Sequence, residues 1–249
     1  MRYLILSDLH SNLAGFEAAM KIAGNRFDAV VCLGDIVGYG PDANEVTDRV
    51  RALKPLAVVR GNHDKACCGI TDASDFTANA RAAALWTRDI LTAENMGYLR
   101  ELSQGPKPVG DYQIVHGSVR DEDEYVFHPR EAMENFALTE IPITFFGHTH
   151  MQGGFVLRET NRIQVLRVAV GEGANAATLE LDPRAKYLLN PGSTGQPRDG
   201  DPRAGFCFYD DHTHVVEYWR VPYDLAATQK KMREAGLPQP LIDRLALGR

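Results

Sequence analysis

The early apolar runs of this chain each stop at a short polar motif, and no other feature restricts its fold as tightly. Tyr3 to Leu6 runs into Asp8-Leu9-His10, Ala29 to Leu33 into Gly34-Asp35, and Leu56 to Val59 into Gly61-Asn62-His63-Asp64. Continuous runs of this length are what a strand buried on both faces requires. Between them lie two helical patterns. Leu13, Phe16, Met20 and Ala23 follow Asn12 as cap, and Val46, Val50 and Leu53 follow Pro41 and Asp42 as cap. A β-α-β-α-β order predicts a parallel sheet with right-handed crossovers. Such sheets collect ligands at the carboxyl ends of their strands. Asp8, Asp35 and Asn62 are therefore expected at one edge.

Residues 65–104 break the alternation. Ala78 to Leu91 and Ala93 to Leu102 have helical spacing, with Thr92 as cap of the second, and read as a helical insertion at the mouth of that edge. Two further strands, Tyr112 to Val115 and Ile143 to Phe146, flank a helix near Arg130 to Ala137; they lead into His116-Gly117 and Gly147-His148-Thr149-His150. After His150 the pattern turns β-rich, with strands expected at Phe155–Arg158, Ile163–Ala169, Ala177–Leu181, Gly205–Tyr209 and Val215–Arg220. Helices near Leu225–Glu234 and Leu241–Leu247 close the chain. A mixed sheet, a largely antiparallel one and outer helices make a layered α/β sandwich. With no repeat and no linker, residues 1–249 are expected to form a single domain, with C-terminal helices from about residue 224.

Composition narrows the function. Charged residues make up 24% and apolar ones 44%, and the formal charge is -6 at pH 7. That balance argues against a basic surface gripping nucleic acid by counterion release. No apolar run approaches the roughly 20 residues that span a bilayer. The N-terminus turns acidic at Asp8, too soon for a signal peptide, so a cytoplasmic protein is expected. Cys32 and Cys207 lie in strand-like runs and Cys67-Cys68 are adjacent, which reads as reduced thiols rather than a disulfide framework.

The five motifs hold five of the eight histidines. Asp8 and His10 offer an oxygen and a nitrogen from one loop, a mixture that suits Mn²⁺, Fe, Zn²⁺ or Ni²⁺ better than Ca²⁺. Asp35 can lend one oxygen to each of two ions about 3.5–4 Å apart. Asn62 adds a neutral carbonyl oxygen. His63, next in sequence, is free to protonate a leaving group, with Asp64 expected to fix its tautomer and raise its pKa. His148 and His150, two apart in extended chain, project to one side, and His116 joins them. His128, His212 and His214 stand outside; Asp210-Asp211-His212-Thr213-His214 reads as a hairpin turn. In the loop Asn190 to Asp199, glycine N–H groups, Asn190, Ser193 and the fork of Arg198 are candidate phosphate contacts.

Taken in order, these motifs resemble the calcineurin-like metallophosphoesterase superfamily, and the Asn190–Ser193 loop is similar to one in its small bacterial and archaeal phosphodiesterase branch. The resemblance implies a four-layer α/β/β/α sandwich of two mixed sheets. It also implies two divalent ions, manganese first with Fe, Ni, Zn or Co as others. One would take Asp8, His10, Asp35 and His150, the other Asp35, Asn62, His116 and His148. A bridging hydroxide would attack phosphorus while His63 protonates the departing oxygen. The substrate implied is a small phosphate ester, possibly a nucleotide, cleaved as a diester. A phosphomonoesterase or nucleotidase on the same site, or a non-catalytic protein-binding scaffold of the same fold, are the other readings. Gly34-Asp35-Ile36-Val37-Gly38 lacks the Asp-Arg-Gly segment of the calcineurin-type phosphatases and dinucleoside tetraphosphatases, which points away from both roles.

Overall fold

Alternate residues of a strand face opposite ways, so an unbroken apolar run needs a partner layer on each side. The computed structural model, which describes residues 1–160, 162–168, 170–171 and 175–249, supplies both. In β1 (Arg2–Leu6), Leu4 and Leu6 pack with Phe16, Ala19 and Val46 of the helical layer. Tyr3 and Ile5 pack on the other side with Tyr112, Ile114, Phe145 and Leu189 of a second sheet.

The first crossovers are as expected: α1 (Leu13–Ala23), β2 (Ala29–Cys32), α2 (Ala43–Ala52) and β3 (Ala57–Val58). Asn12 caps α1, its side-chain oxygen accepting from the Gly15 N–H at 3.1 Å. Asp42 does not cap α2; it accepts instead from the Lys231 ammonium at 2.7 Å, because the helix Leu225–Glu234 lies beside it. Next come α3 (Asn62–Cys68), α4 (Ala78–Ile90), α5 (Ala93–Glu101), β4 (Lys107–Val109), β5 (Tyr112–Ile114), α6 (Pro129–Ala137) and β6 (Ile143–Phe145). Thr92 caps α5 through the Asn95 N–H. The remainder comprises β7 (Gly153–Leu157), β8 (Ile163–Arg167), β9 (Ala176–Glu180), β10 (Lys186–Asn190), β11 (Ala204–Asp210), β12 (Val215–Val221), α7 (Leu225–Glu234) and α8 (Gln239–Leu245). Residue 169, the expected end of the strand from Ile163, lies outside the described residues.

Two six-stranded sheets result, ordered β3-β2-β1-β11-β12-β9 and β4-β5-β6-β10-β7-β8. Both are mixed. Among the described residues, the strands after His150 pair with one another antiparallel throughout, but they are divided between the two sheets instead of forming one of their own, and β10 runs parallel to β6 at the centre of the second sheet. Sequence reasoning missed β10, whose Lys-Tyr-Leu-Leu-Asn lacks β-branched residues and becomes a strand by being paired on both sides. Helix α6 covers the outer face of the second sheet through Phe136 against Phe146 and Phe155, giving four layers, α/β/β/α. The ends of β1, β2 and β3 meet those of β5 and β6: His148 N–H donates to Asp8 Oδ1 at 3.2 Å, and His116 lies with Nδ1 2.8 Å from Leu33 O and Nε2 3.3 Å from Asn62 Oδ1. Among the described residues, no helix is long and apolar enough to cross a membrane.

Candidate metal centre

The loops leaving those strands bring seven separated side chains together. Candidate ligand atoms of Asp8, His10, Asp35 and His150 all lie within 4.8 Å of one another, and so do those of Asp35, His116 and His148. Asn62 joins the second group, its Oδ1 3.3 Å from His116 Nε2. Asp35 belongs to both. Its Oδ1 accepts the His63 N–H at 2.9 Å, while Oδ2 stands 3.5 Å from His10 Nε2 and 3.3 Å from His116 Nε2.

The backbone is bent to reach this arrangement. Asp8, His10, Asp35, His148 and His150 have φ of 51°, 45°, 52°, 64° and 60°. A left-handed conformation costs such residues roughly 1–2 kcal/mol each and persists where surrounding structure overdetermines it, which happens mostly at functional sites. Close approach is also required of Gly61, where a Cβ would stand 2.0 Å from Asp35 Oδ1, and of Gly147, where it would stand 2.2 Å from Ser7 Oγ.

Whether these residues suit a cation is decided by their hydrogen bonds. His10, His116 and His150 each turn Nδ1 to a backbone carbonyl, of Val37 (3.2 Å), Leu33 (2.8 Å) and Gln196 (2.6 Å). His148 turns Nε2 to Asp123 O at 3.0 Å. Carbonyls only accept, so these nitrogens carry the hydrogen and the opposite ones point lone pairs inward. His10 Nε2 then faces His150 Nε2 at 3.0 Å, and His116 Nε2 faces His148 Nδ1 at 3.1 Å. Facing lone pairs repel unless positive charge sits between them. Burial drives His10, His148 and His150 well below the usual imidazole range, so they are neutral and ready to ligate. Burial also opposes charge on His116, but Asp35 beside it pushes His116 up to about 10, a proton standing where a cation would. Asp35 Oδ2 is buried and accepts no hydrogen bond. Burial and then the Asp35 charge push Asp8 up to about 6, against His116. Ligands of one ion at 2.0–2.2 Å lie roughly 3 Å apart, which is the spacing found here. The donor set fits divalent metal.

The expected catalytic pair is corrected. Asp64 does not touch the His63 ring; its Oδ1 accepts from Val37 N–H (3.2 Å) and its Oδ2 from Gly61 N–H (3.0 Å). The reason is local: the motif opens α3, and Asp64 in its first turn reaches back to the helix start. His63 Nδ1 has no partner, and burial pushes His63 down to about 4 rather than up. The ring is held by packing, its centroid 4.2 Å from Tyr39 and 4.6 Å from Phe76. The loop contacts are corrected too. Asn190 donates to Gly147 O (2.8 Å) and Thr149 Oγ1 (3.0 Å), while its oxygen accepts from Gly192 N–H. Ser193 donates to Asp8 O at 2.7 Å, and the Gly195 N–H is likewise spent on Asp8 O. These groups are buried and tie the ligand loops together, leaving nothing for a substrate. Arg198 alone of the three keeps its side chain near the centre, the guanidinium carbon 5.6 Å from the centroid of Tyr39, whose ring lies 4.7 Å from that of His10.

The family model described as the calcineurin-like phosphoesterase superfamily domain matches residues 1–214. The chain belongs to that superfamily. A metallophosphoesterase structure from Sphaerobacter thermophilus is 42% identical, with a TM-score of 0.87 over 100% of this chain and 99% of that one. The uncharacterized protein MJ0912 of Methanocaldococcus jannaschii is 34% identical over 255 residues, 98% of this chain and 97% of its own. Hypothetical protein PH1004 from Pyrococcus horikoshii OT3, at 19% identity and a TM-score of 0.78 over 100% and 98% of the two chains, shares the fold.

Other parts of this calcineurin-like chain complete the surroundings. A cavity of about 360 Å³ opens beside Asn62, His63 and His148 and is walled by Tyr39, Phe76 and Tyr125. Tyr125 stacks on His148, centroids 3.7 Å apart at 17°. Sequence reasoning missed these aromatics because nothing local marks them; only Tyr39, between Gly38 and Gly40 in the turn after Asp35, carried a signal. The Asp210–His214 segment is the β11–β12 turn, with Asp210 accepting from the His212 and Thr213 N–H groups. All four cysteines are buried and free.

Proposed function

We propose that this protein is a metal-dependent phosphoesterase that hydrolyses phosphodiesters at a centre of two divalent ions. The observation that carries this reading is Asp35, a buried carboxylate common to two ligand groups, with one oxygen lacking any hydrogen-bond partner. Asp8, His10, Asp35 and His150 would hold one ion; Asp35, Asn62, His116 and His148 the other. Manganese is proposed first, since carboxylate and amide oxygens suit it while imidazole also admits Fe, Zn, Ni and Co. When bound, such ions supply Lewis acidity, acidifying water and drawing charge off phosphate oxygens.

The chain's own residues do the rest. The carbonyls of Val37, Leu33, Gln196 and Asp123 fix the four imidazoles, so no reorganisation is needed when substrate arrives. Arg198 meets the phosphate. His63, on the wall of the cavity, takes up a proton as the anionic phosphate enters beside it and passes it to the departing oxygen. Tyr39 and Phe76 keep its ring in place by packing. The aromatic walls suit a flat leaving group such as a nucleoside.

The test is reconstitution. Metal-free protein supplied with Mn²⁺ is expected to bind two equivalents and to turn over bis-p-nitrophenyl phosphate faster than p-nitrophenyl phosphate. Asp35→Asn is expected to weaken both sites together. Two full equivalents in that variant would contradict sharing, and a preference for the monoester would point to a nucleotidase.

A further inference from the structure

Two arginines from distant parts of the chain end on one glutamine. Arg198 donates to Gln196 Oε1 at 3.0 Å, and Arg244 on α8 donates to the same oxygen. Both guanidinium groups lie over the Tyr39 ring, their carbons 5.6 and 4.6 Å from its centroid. The same ring also packs against His63 at 4.2 Å and His10 at 4.7 Å, so the arginines stand one side chain away from the candidate centre. The site is rigidly mounted. The Gln196 carbonyl holds His150, and α8 is anchored by Leu241, Ile242 and Leu245 packed with Tyr39, Ala80 and Ala83.

This positive charge is not neutralised by its sequence neighbours. Asp199 pairs with Arg220, and Asp243 accepts from Gln239. Three buried donors also lack partners: Arg198 Nε, Arg244 Nε and Gln196 Nε2. The Gln196 amide cannot relieve this by turning over, because its oxygen already accepts from both arginines. Buried donors left unpaired are costly, and native proteins rarely keep them without a use. Planar guanidinium forks beside an amide N–H match the oxygens of a phosphoryl group.

On the phosphoesterase reading the metal centre would take one phosphoryl group, the one attacked. We infer that Arg244 and Gln196, with Arg198 shared between the two positions, hold a second phosphoryl group of the same substrate, which is therefore an organic diphosphate ester rather than a singly phosphorylated one. The inference rests on the phosphoesterase reading above. It also gives the chain phosphate-gripping arginines from its C-terminal half, where the Gly34-Asp35 segment has none.

The test compares the p-nitrophenyl esters of thymidine diphosphate and thymidine monophosphate on the manganese-loaded protein. Both release p-nitrophenolate when the aryl-bearing phosphorus is attacked, and products are separated by chromatography so that cleavage at the inner phosphorus of the diphosphate is counted too. Binding of inorganic pyrophosphate to metal-free protein is measured alongside by calorimetry. The wild-type chain is expected to prefer the diphosphate ester in kcat/KM. Arg244→Gln is expected to cut that preference at least roughly tenfold and to weaken pyrophosphate binding similarly, with Arg244→Lys restoring part of both. An equal loss on both esters would place Arg244 on the attacked phosphate and overturn the inference. Weaker pyrophosphate binding with an unchanged ester preference would make this a site for a free anion, overturning it too. Hydrolysis of both esters without preference defeats this inference alone; hydrolysis of neither defeats the phosphoesterase reading and this inference with it.

Discussion

His63 is positioned by surfaces rather than by a hydrogen bond. Its ring lies edge-on to His10 at 4.9 Å and against Tyr39 and Phe76, with Nδ1 unpartnered beside Gly38. Burial favours the neutral imidazole, so a proton stays on it only next to the negative charge of bound phosphate. His63→Ala is therefore expected to keep its metal content and lose roughly 10²–10⁴-fold in turnover of esters with poor leaving groups. The loss on nitrophenyl esters, whose leaving group departs without a proton, should be far smaller. Metal analysis beside the two rate measurements checks this, and a parallel loss of metal would remove the general-acid role. At this scale the sequence revealed residue types well. The bare juxtaposition of His63 and Asp64 misled, because adjacent residues opening a helix point about 100° apart and Asp64 was claimed by the backbone of Gly61 and Val37.

Among the elements, the loop after β10 does the work of a clasp. Asn190 joins it to the carbonyl of Gly147 and the hydroxyl of Thr149, and Ser193 joins it to Asp8, so the ligand loops of both sheets are fastened by one segment. Asn190→Ala leaves buried partners unpaired, which costs about 1–3 kcal/mol. Lower thermal stability and weaker metal binding are expected, with KM for a nitrophenyl ester unmoved. A raised KM at unchanged stability would return Asn190 to the substrate. The strands β1 and β2 were legible because their apolar runs are long enough to be covered on both sides, whereas β5 and β6, interrupted by Gln113 and Thr144, were legible from the apolar residues around them and the histidine motifs they lead into. Helix α3 was hidden, since Asn62 to Cys68 is short and carries no apolar stripe, and β10 was hidden by its leucines.

For the whole molecule, the cost of the centre must be met by what it binds. Two buried carboxylates, four buried imidazoles and five left-handed residues converge where the sheets meet. Divalent ions binding only the folded chain stabilise it by about 2.7 kcal/mol per site at a hundredfold excess over Kd. For a protein of this size that corresponds to roughly 5–10 °C in Tm per ion. Chelation is expected to lower Tm by such an amount and abolish ester hydrolysis together, with Mn²⁺ restoring both; an unchanged melting curve after verified metal removal would count against a centre built from these side chains.

The amino-acid order by itself determined the strand ends and the residues carried there, because burial on two faces and the reach of a crossover leave few alternatives for Asp8, Asp35, Asn62, His116, His148 and His150. Only the tertiary structure decided how each side chain is used. Hydrogen-bond partners arrive from far along the chain, 185 residues apart for Ser193 and Asp8 and 216 for Thr228 and Asn12, and no local pattern records which donor an oxygen will meet. The same holds for Arg244, a surface-helix arginine in sequence, which the packing of α8 on Tyr39 carries to within 4.6 Å of that ring's centroid.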